Sequence, residues 1–366
     1  MLSRTADSLF WLARYMERAE NTARLVDMGR RMGAIPGAGP DCLAGRRSEW
    51  PAILAATGCT AGYNAKRTTE PYAALDEVTA TLRYLLLEPE NPASVRSSFE
   101  AARANARAVR AALNLQMWES VNEAWIAFRM LRTEDLLKGG LSPQLEMIKT
   151  SAAQFLGAIE GAALRNDGYQ FLQLGFAVER LDCTARLLDV KVAGRAQRSE
   201  PPATADEMAE RHRLVAVLRA AGQMLAYRAQ CRSDYTRDEV TNFLIRRRES
   251  PRSLLYAAMR IEGHLRALEE LYEAPAACMP EAKALIQTIR DAPLDRLDKG
   301  ELHRFLAEVI AANGALSAGI AASYHFGPAP AQPTEMQAAA IASREGGRVG
   351  NAKSKPIRRG QSQVQL

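Results

Sequence analysis

The chain has 366 residues, is 47% hydrophobic and 25% charged, and carries a formal net charge of +6. Such a chain can bury a core without covalent staples. Its five cysteines, at 42, 59, 183, 231 and 278, are odd in number and show no CxxC spacing, which excludes a disulfide framework or a zinc ribbon.

The first predicted element is a helix carrying Leu9, Leu12, Met16, Ala19, Ala23 and Val26 on one heptad-like stripe. Its opening residues, Met1-Leu2-Ser3-Arg4-Thr5-Ala6-Asp7, do not form a signal peptide, so a reducing cytoplasm is the expected location. Helix follows helix from there, in segments of Ala, Leu, Arg and Glu with apolar recurrence at three and four. Breakers stand at Gly33 to Pro40, Glu88-Pro89-Glu90-Asn91-Pro92, Gly139-Gly140, Gly194 to Pro202 and Ala274-Pro275. Ser142-Pro143 and Ser250-Pro251 predict helix starts with a capping hydroxyl before proline, and Thr204-Ala205-Asp206-Glu207 has capping-box spacing. Trp11, Trp50, Trp118 and Trp125 have the spacing of core anchors. The uncharged run Val309 to Ala322 is short and rich in small residues, against the need of a membrane span for about 20 apolar ones. From Gly327 onward, Pro, Ala, Gly, Gln and basic residues without apolar periodicity predict a disordered basic tail, 327–366. The tail has six basic residues against two acidic ones, so most of the net charge lies there, and nucleic-acid binding by the body is not indicated. No stretch alternates long enough to require a sheet. The fold class expected is all-α.

The chain also repeats itself. The segment Glu17-Arg18-Ala19-Glu20-Asn21-Thr22-Ala23-Arg24-Leu25-Val26-Asp27 recurs as Glu179-Arg180-Leu181-Asp182-Cys183-Thr184-Ala185-Arg186-Leu187-Leu188-Asp189, with seven of eleven positions identical at an offset of 162. Leu54, Gly58 and Tyr63 match Leu218, Gly222 and Tyr227 at 164. Asp76 to Thr79 matches Asp238 to Thr241 at 162, and Pro92-Ala93-Ser94 matches Pro251-Arg252-Ser253 at 159. Four blocks in one order imply a tandem duplication, with repeats at about 5–165 and 168–326 inside a helical domain of 1–326. The product is either two bundles related by a pseudo-twofold or one interleaved bundle.

In both copies the charges lie off the apolar stripe. Glu17, Asn21 and Arg24 share a face with Phe10 and Arg14, while Glu179, Cys183 and Arg186 share one with Phe176. Arg18 and Arg180 sit at the boundary, where a long stem can cover apolar surface. Two readings stand. In one, Glu20–Arg24 and Asp182–Arg186 are helix-stabilising pairs four apart, and the other charges are structural ion pairs. In the other, Glu17, Arg18, Arg24, Glu179, Arg180 and Arg186 form a shared polar site that holds a carboxylate or phosphate. Their retention in both copies, while core residues drifted, favours keeping the second.

Familiar chemistries are missing. Glu-x-x-His, the signature of metal-binding bundles, occurs at none of His212, His264, His303 or His325. There is no HExxH, GxSxG or Walker A motif. Gly33 to Gly39 is Gly-rich but has no following Lys and reads as a loop. No metal and no cofactor are expected, and whether the chain is an enzyme stays open.

Trp11-Leu12-Ala13-Arg14-Tyr15-Met16-Glu17-Arg18-Ala19-Glu20-Asn21, Phe171 to Gly175 leading into Glu179-Arg180, Trp118-Glu119-Ser120-Val121-Asn122 and the Pro251-Arg252-Ser253 turn together resemble the alpha-E family, a bacterial group of helical proteins with a Glu-Arg motif. The resemblance covers residues 1–326. It departs at Cys183, where the first copy has Asn21, and in a long Gly- and Pro-rich segment from Gly33 to Pro51. It implies association with a circularly permuted ATP-grasp protein and a transglutaminase-like protein, and hence with making or breaking peptide-type amide bonds. The expectation is a helical accessory or scaffold protein that acts with the ATP-grasp ligase or presents it a peptide, away from any membrane. The alternatives are an enzyme or small-anion or peptide binder that uses the Glu/Arg site, and a weak nucleic-acid binder through the tail.

Overall fold

The computed structural model describes residues 1–33, 50–138, 140–193, 203–231 and 235–327. The loop segments predicted at Gly33 to Pro40 and Gly194 to Pro202, the side chains of the Thr204 box and the tail beyond Gly327 lie outside the described residues, apart from Gly33 itself.

Among the described residues the protein is helical and no strand forms. The elements run in two parallel series. The first holds α1 (Ser3–Gly33), α2 (Trp50–Ala56), α3 (Thr60–Arg67), α4 (Glu77–Leu86), α5 (Val95–Ala108), α6 (Leu115–Arg129), α7 (Thr133–Lys138) and α8 (Leu141–Ala162). The second holds α9 (Asp167–Leu188), α10 (Ala203–Ala220), α11 (Met224–Cys231), α12 (Arg237–Arg246), α13 (Leu254–Tyr272), α14 (Met279–Asp291) and α15 (Lys299–Ser323). Each second-series helix has a first-series counterpart in the same order, and α7 alone has none.

The packing is paired in the same way. α1 and α9 lie against each other along their length, α5 packs on α1 as α13 packs on α9, and α8 flanks α1 as α15 flanks α9. The described residues up to Gly327 form a single compact unit. The stripe read from sequence is buried throughout: Leu9, Leu12, Met16, Ala19, Ala23 and Val26 are all inaccessible. The opposite face of α1 is buried too, with Phe10, Arg14, Glu17 and Asn21 under neighbouring helices. The middle of the helix is therefore central, and the charges from Arg14 to Asn21 have little solvated surface to occupy, while Arg4 and Arg31 at its ends are exposed. Gly175 permits the approach of α9 to α1: a Cβ there would stand 2.2 Å from the Phe10 carbonyl oxygen and 3.0 Å from Ala13 Cβ.

Local details repeat as well. α2 and α10 each end on a glycine with φ of 68°, Gly58 and Gly222. At both, the N–H after the glycine reaches back five residues, Cys59 to the Leu54 carbonyl and Gln223 to the Leu218 carbonyl, both at 2.8 Å. The turn before α5 and the turn before α13 end on buried N-caps: the Ser94 hydroxyl accepts from the Ser97 N–H, and the Ser253 hydroxyl from the Tyr256 N–H. One contact survives with new residues. Cys59 Sγ lies 3.5 Å from Asn91 Oδ1, and at the corresponding place the Ser250 hydroxyl donates to Gln223 Oε1 at 2.9 Å.

Some expectations need correction. Asp76 caps α4, whereas Asp238 lies inside α12, whose cap is Thr236. Val78 is exposed and Val240 is buried, so this sequence match does not join equivalent positions. Ser250 is not the cap of α13, because its hydroxyl is committed to Gln223 and the helix starts after Ser253. Ser142 is not the cap of α8 either. That helix starts at Leu141 from Gly140, and Pro143 is tolerated in the first turn, where N–H groups lack helical partners anyway. Trp11 and Trp50 are core residues, but Trp118 and Trp125 are half-buried, and Trp125 lies between the Arg103 and Arg129 guanidiniums at 3.9 and 4.4 Å. Finally, α15 is long and apolar enough by length and composition to cross a membrane. Here its Leu302, Leu306, Val309, Leu316 and Ile320 stripe packs into the core, and Ala and Gly supply much of the remaining hydropathy.

Candidate functional site

Glu17 and Arg18 occupy one helix and Glu179 and Arg180 another, and the close α1–α9 contact crosses them. Arg180 donates to Glu17 through two nitrogens, Nε to Oε1 at 3.1 Å and Nη2 to Oε2 at 2.7 Å. Arg18 donates to Glu179 in the same way, Nε to Oε1 at 2.6 Å and Nη2 to Oε2 at 2.9 Å. Both are the side-by-side geometry in which guanidinium and carboxylate bind most strongly. Each carboxylate then receives a second cation. For Glu179 it is Arg14, whose Nε lies 2.8 Å from Oε2 and whose Nη1 donates to Ser317 on α15 at 3.0 Å. For Glu17 it is Arg252, at 2.7 Å from Oε1, which also reaches Asn21 at 2.8 Å and Glu20 at 3.0 Å.

The second cations come from different places. Arg252 stands in the turn before α13, and the matching residue before α5 is Ala93. Arg14 stands on α1, and its match on α9 is Phe176. Each carboxylate thus receives two arginines from the opposite series, and the second of them comes by a different route in the two cases.

Arg24 and Arg186 do not bond the central glutamates. They make the expected pairs four residues apart, Arg24 with Glu20 at 2.6 Å and Arg186 with Asp182 at 2.7 Å. Their outer ends cross to the other series. A Cβ on Gly222 would meet the Arg24 guanidinium at 2.9 Å, and one on Gly58 would lie 4.0 Å from that of Arg186. Each arginine thereby sits by the C-terminal end of a helix, where the peptide dipoles favour a cation. Arg24 also lines a small hollow of about 40 Å³ with Asp27, Arg31, Lys149 and Arg219.

Of the six residues singled out in the sequence, Glu17, Arg18, Glu179 and Arg180 are brought together in crossed pairs, while Arg24 and Arg186 stand apart with Glu20 and Asp182. The sequence reading missed Arg252 and Glu20 as members, and Ser317 and Asn313 as supports. Asn313 is buried and donates to the Val178 carbonyl at 3.0 Å, one residue before Glu179. A signal for Arg252 existed: a charge appears at one position of an otherwise matched Pro-x-Ser turn.

The electrostatics follow from the pairing. Burial alone would raise the Glu17 pKa, but Arg180 and Arg252 outweigh it and hold the carboxyl at about 2. Glu179 is likewise pushed up by burial and pulled down further by Arg18 and Arg14, to about 2. Burial would lower Arg18 and Arg180, but Glu179 and Glu17 respectively hold them above the ordinary range. Carboxylates this acidic stay ionised at neutral pH and are poor proton acceptors. The arrangement can clasp two helices, and its anion-binding capacity is already taken up by its own glutamates.

The Alpha-E family, described as a predicted alpha-helical domain with a conserved ER motif, matches residues 1–325. Glu17-Arg18 and Glu179-Arg180 are Glu-Arg pairs of that description. An uncharacterised protein of Mycobacterium bovis is 26% identical over 319 residues, which is 84% of this chain and 35% of the relative. Uncharacterised proteins of two Mycobacterium tuberculosis strains are 26% and 25% identical with the same coverage. The chain thus spans about a third of the length of these relatives. No solved structure matches.

Proposed function

This chain belongs to the Alpha-E family, and from that premise we propose that it is a non-catalytic helical partner of an ATP-grasp-type amide ligase, scaffolding the ligase or presenting it a peptide. The two series of helices, in this reading, descend from a tandem duplication whose copies remain locked by their Glu-Arg segments. The observation that carries a scaffolding role is the crossed pairing of Glu17 with Arg180 and Arg18 with Glu179, because it commits the motif residues to holding α1 against α9. A general base needs a pKa near the working pH and access to substrate. Glu17 and Glu179 are buried, ionised and saturated with donors. That disfavours the enzymatic alternative centred on them. The length of the mycobacterial relatives supports a role beside other domains, since most of each relative lies outside the matched region.

The test is co-purification of the full chain with an ATP-grasp protein of the same organism, together with an assay of amide formation with and without the chain. The expected result is a stable complex and a ligase whose turnover depends on this protein. Absence of a complex, together with unchanged ligation when the gene is deleted, would overturn the proposal.

A further inference from the structure

The turn after α12 and the first two turns of α13 enclose an open groove of about 350 Å³, lined by Arg248, Glu249, Tyr256, Met259 and Arg260. It borders the Glu17 cluster, because Tyr256 lies within electrostatic reach of Arg180. We propose that this groove binds a carboxylate flanked by an apolar group, as at the C-terminus of a peptide.

Arg248 is exposed on the turn, and among the described residues it has no ion-pair partner. The neighbouring Glu249 carboxylate is held by Arg247 at 3.0 Å. Arg260 is half-buried and anchored by donating to Gln173 Oε1 at 3.3 Å. A guanidinium has five donors, so others are left for a ligand. Tyr256 brings a half-buried hydroxyl, and Met259 between them brings a deformable apolar surface. With Glu249 held by Arg247, Arg248 and Arg260 are the cations left to meet an anion. The groove is far larger than an inorganic anion, and its Met259 side suits the apolar group beside a carboxylate.

Comparison of the two series separates binding from building. The turns before α5 and α13 have the same backbone hydrogen bonds and the same serine cap. Yet the positions matching Arg248, Tyr256, Met259 and Arg260 are Pro89, Ser97, Glu100 and Ala101. The first series makes the turn without these cations, so the turn does not require them. They are a property of the second series alone.

The inference deepens the presenting role proposed above and rests on it for its biological sense, but binding by the isolated chain is tested separately from any complex. The probe is a fluorescein-labelled Gly-Gly-Ala-Leu peptide with a free C-terminal carboxylate, titrated with the full-length protein and followed by anisotropy. Its C-terminal amide and inorganic phosphate serve as competitors. The free acid is expected to bind at least about tenfold more tightly than the amide, a difference of the size one charge-assisted contact gives. R248Q and R260Q should each weaken the free acid by about tenfold, with helical content unchanged. E100Q, at the matching place in the first series, should leave binding as it is. Arg248 is exposed, so its variant folds whatever the outcome at Arg260. Equal binding of acid and amide, retained binding in R248Q, competition by phosphate as strong as by the free acid, or no binding at millimolar protein would each overturn the assignment.

Discussion

The carboxylate of Glu17 is held by the guanidinium of Arg180 at 2.7 and 3.1 Å, across 163 positions of sequence, and Arg252 closes on the same carboxylate from the turn before α13. Removing the anion leaves two largely buried cations facing each other, with Glu20 still bonded to Arg252. Glu17→Gln is therefore expected to cost about 3–5 kcal/mol, far above the loss of an exposed pair. Urea denaturation followed by circular dichroism measures it. The double variant E17Q/R180Q should cost less than the sum of its single changes, because the second change removes a cation that the first left unpaired. A cost below about 1 kcal/mol for E17Q would mean that the clasp does not hold the helices.

Acid should loosen the fold in two overlapping windows. Glu17 and Glu179 are held at about 2 in the folded chain, below the ordinary value of 4.5. Their contribution is complete above about 4.5 and is lost as pH falls toward 2, by an amount on the order of a few kcal/mol. His264 moves first. Burial, aided by Arg260, lowers it from 6.5 to about 3. The unfolded chain then takes up a proton below pH 6.5 that the folded chain refuses, and stability declines from there toward pH 3. Melting temperature measured against pH should fall between 6.5 and 4.5 in the wild type and much less in His264→Gln. An equal decline in both would remove His264 as the cause.

Gly175 and Gly222 are glycines for different reasons. A methyl group at Gly175 would drive α9 off the Phe10 carbonyl, and Gly175→Ala is expected to cost about 1–3 kcal/mol through overpacking. Gly222→Ala and Gly58→Ala both place alanine at φ of 68° and should cost about 1 kcal/mol from the backbone. Gly222→Ala should cost more than Gly58→Ala, because the added carbon meets Arg24 at 2.9 Å while Arg186 is 4.0 Å away from the other. Thermal melts of the three variants give the order, and equal losses at positions 58 and 222 would contradict the account of Arg24.

Much of this was legible in the sequence, for physical reasons. The stripe from Leu9 to Val26 announced a buried helix face, and Gly58 with Gly222 marked equivalent turns because a positive φ strongly favours glycine. The partner of Glu17 could not be read. Glu20–Arg24 is visible because spacing along a helix is fixed, but Glu17–Arg180 depends on how two distant helices cross. The burial of both faces of α1 was hidden for the same reason, since a charged position reads as solvated until its counter-ion is known. The match of Asp76 with Asp238 misled because acidic residues are favoured both at a cap and in the first turn that follows it.

The two carboxylates each gather two arginines by different routes, and this gives a test of the equivalence of the two halves. Arg14 serves Glu179 from α1, while Arg252 serves Glu17 from the turn before α13, where the first series has Ala93. Arg14→Gln should cost about 1.5–3 kcal/mol, the range for a hydrogen bond to a charged group. If the turns before α5 and α13 are equivalent, an arginine at position 93 reaches Glu179 as Arg252 reaches Glu17. A93R should then recover about 1 kcal/mol of the R14Q loss. It should do little in the wild type, where Arg14 already fills the place. Recovery should be partial, because Arg252 also bonds Asn21 and Glu20, and the matching residues are the weaker acceptor Cys183 and the shorter Asp182. Chemical denaturation of the four proteins decides it: the same effect of A93R in both backgrounds would show that the two turns do not face their glutamates alike.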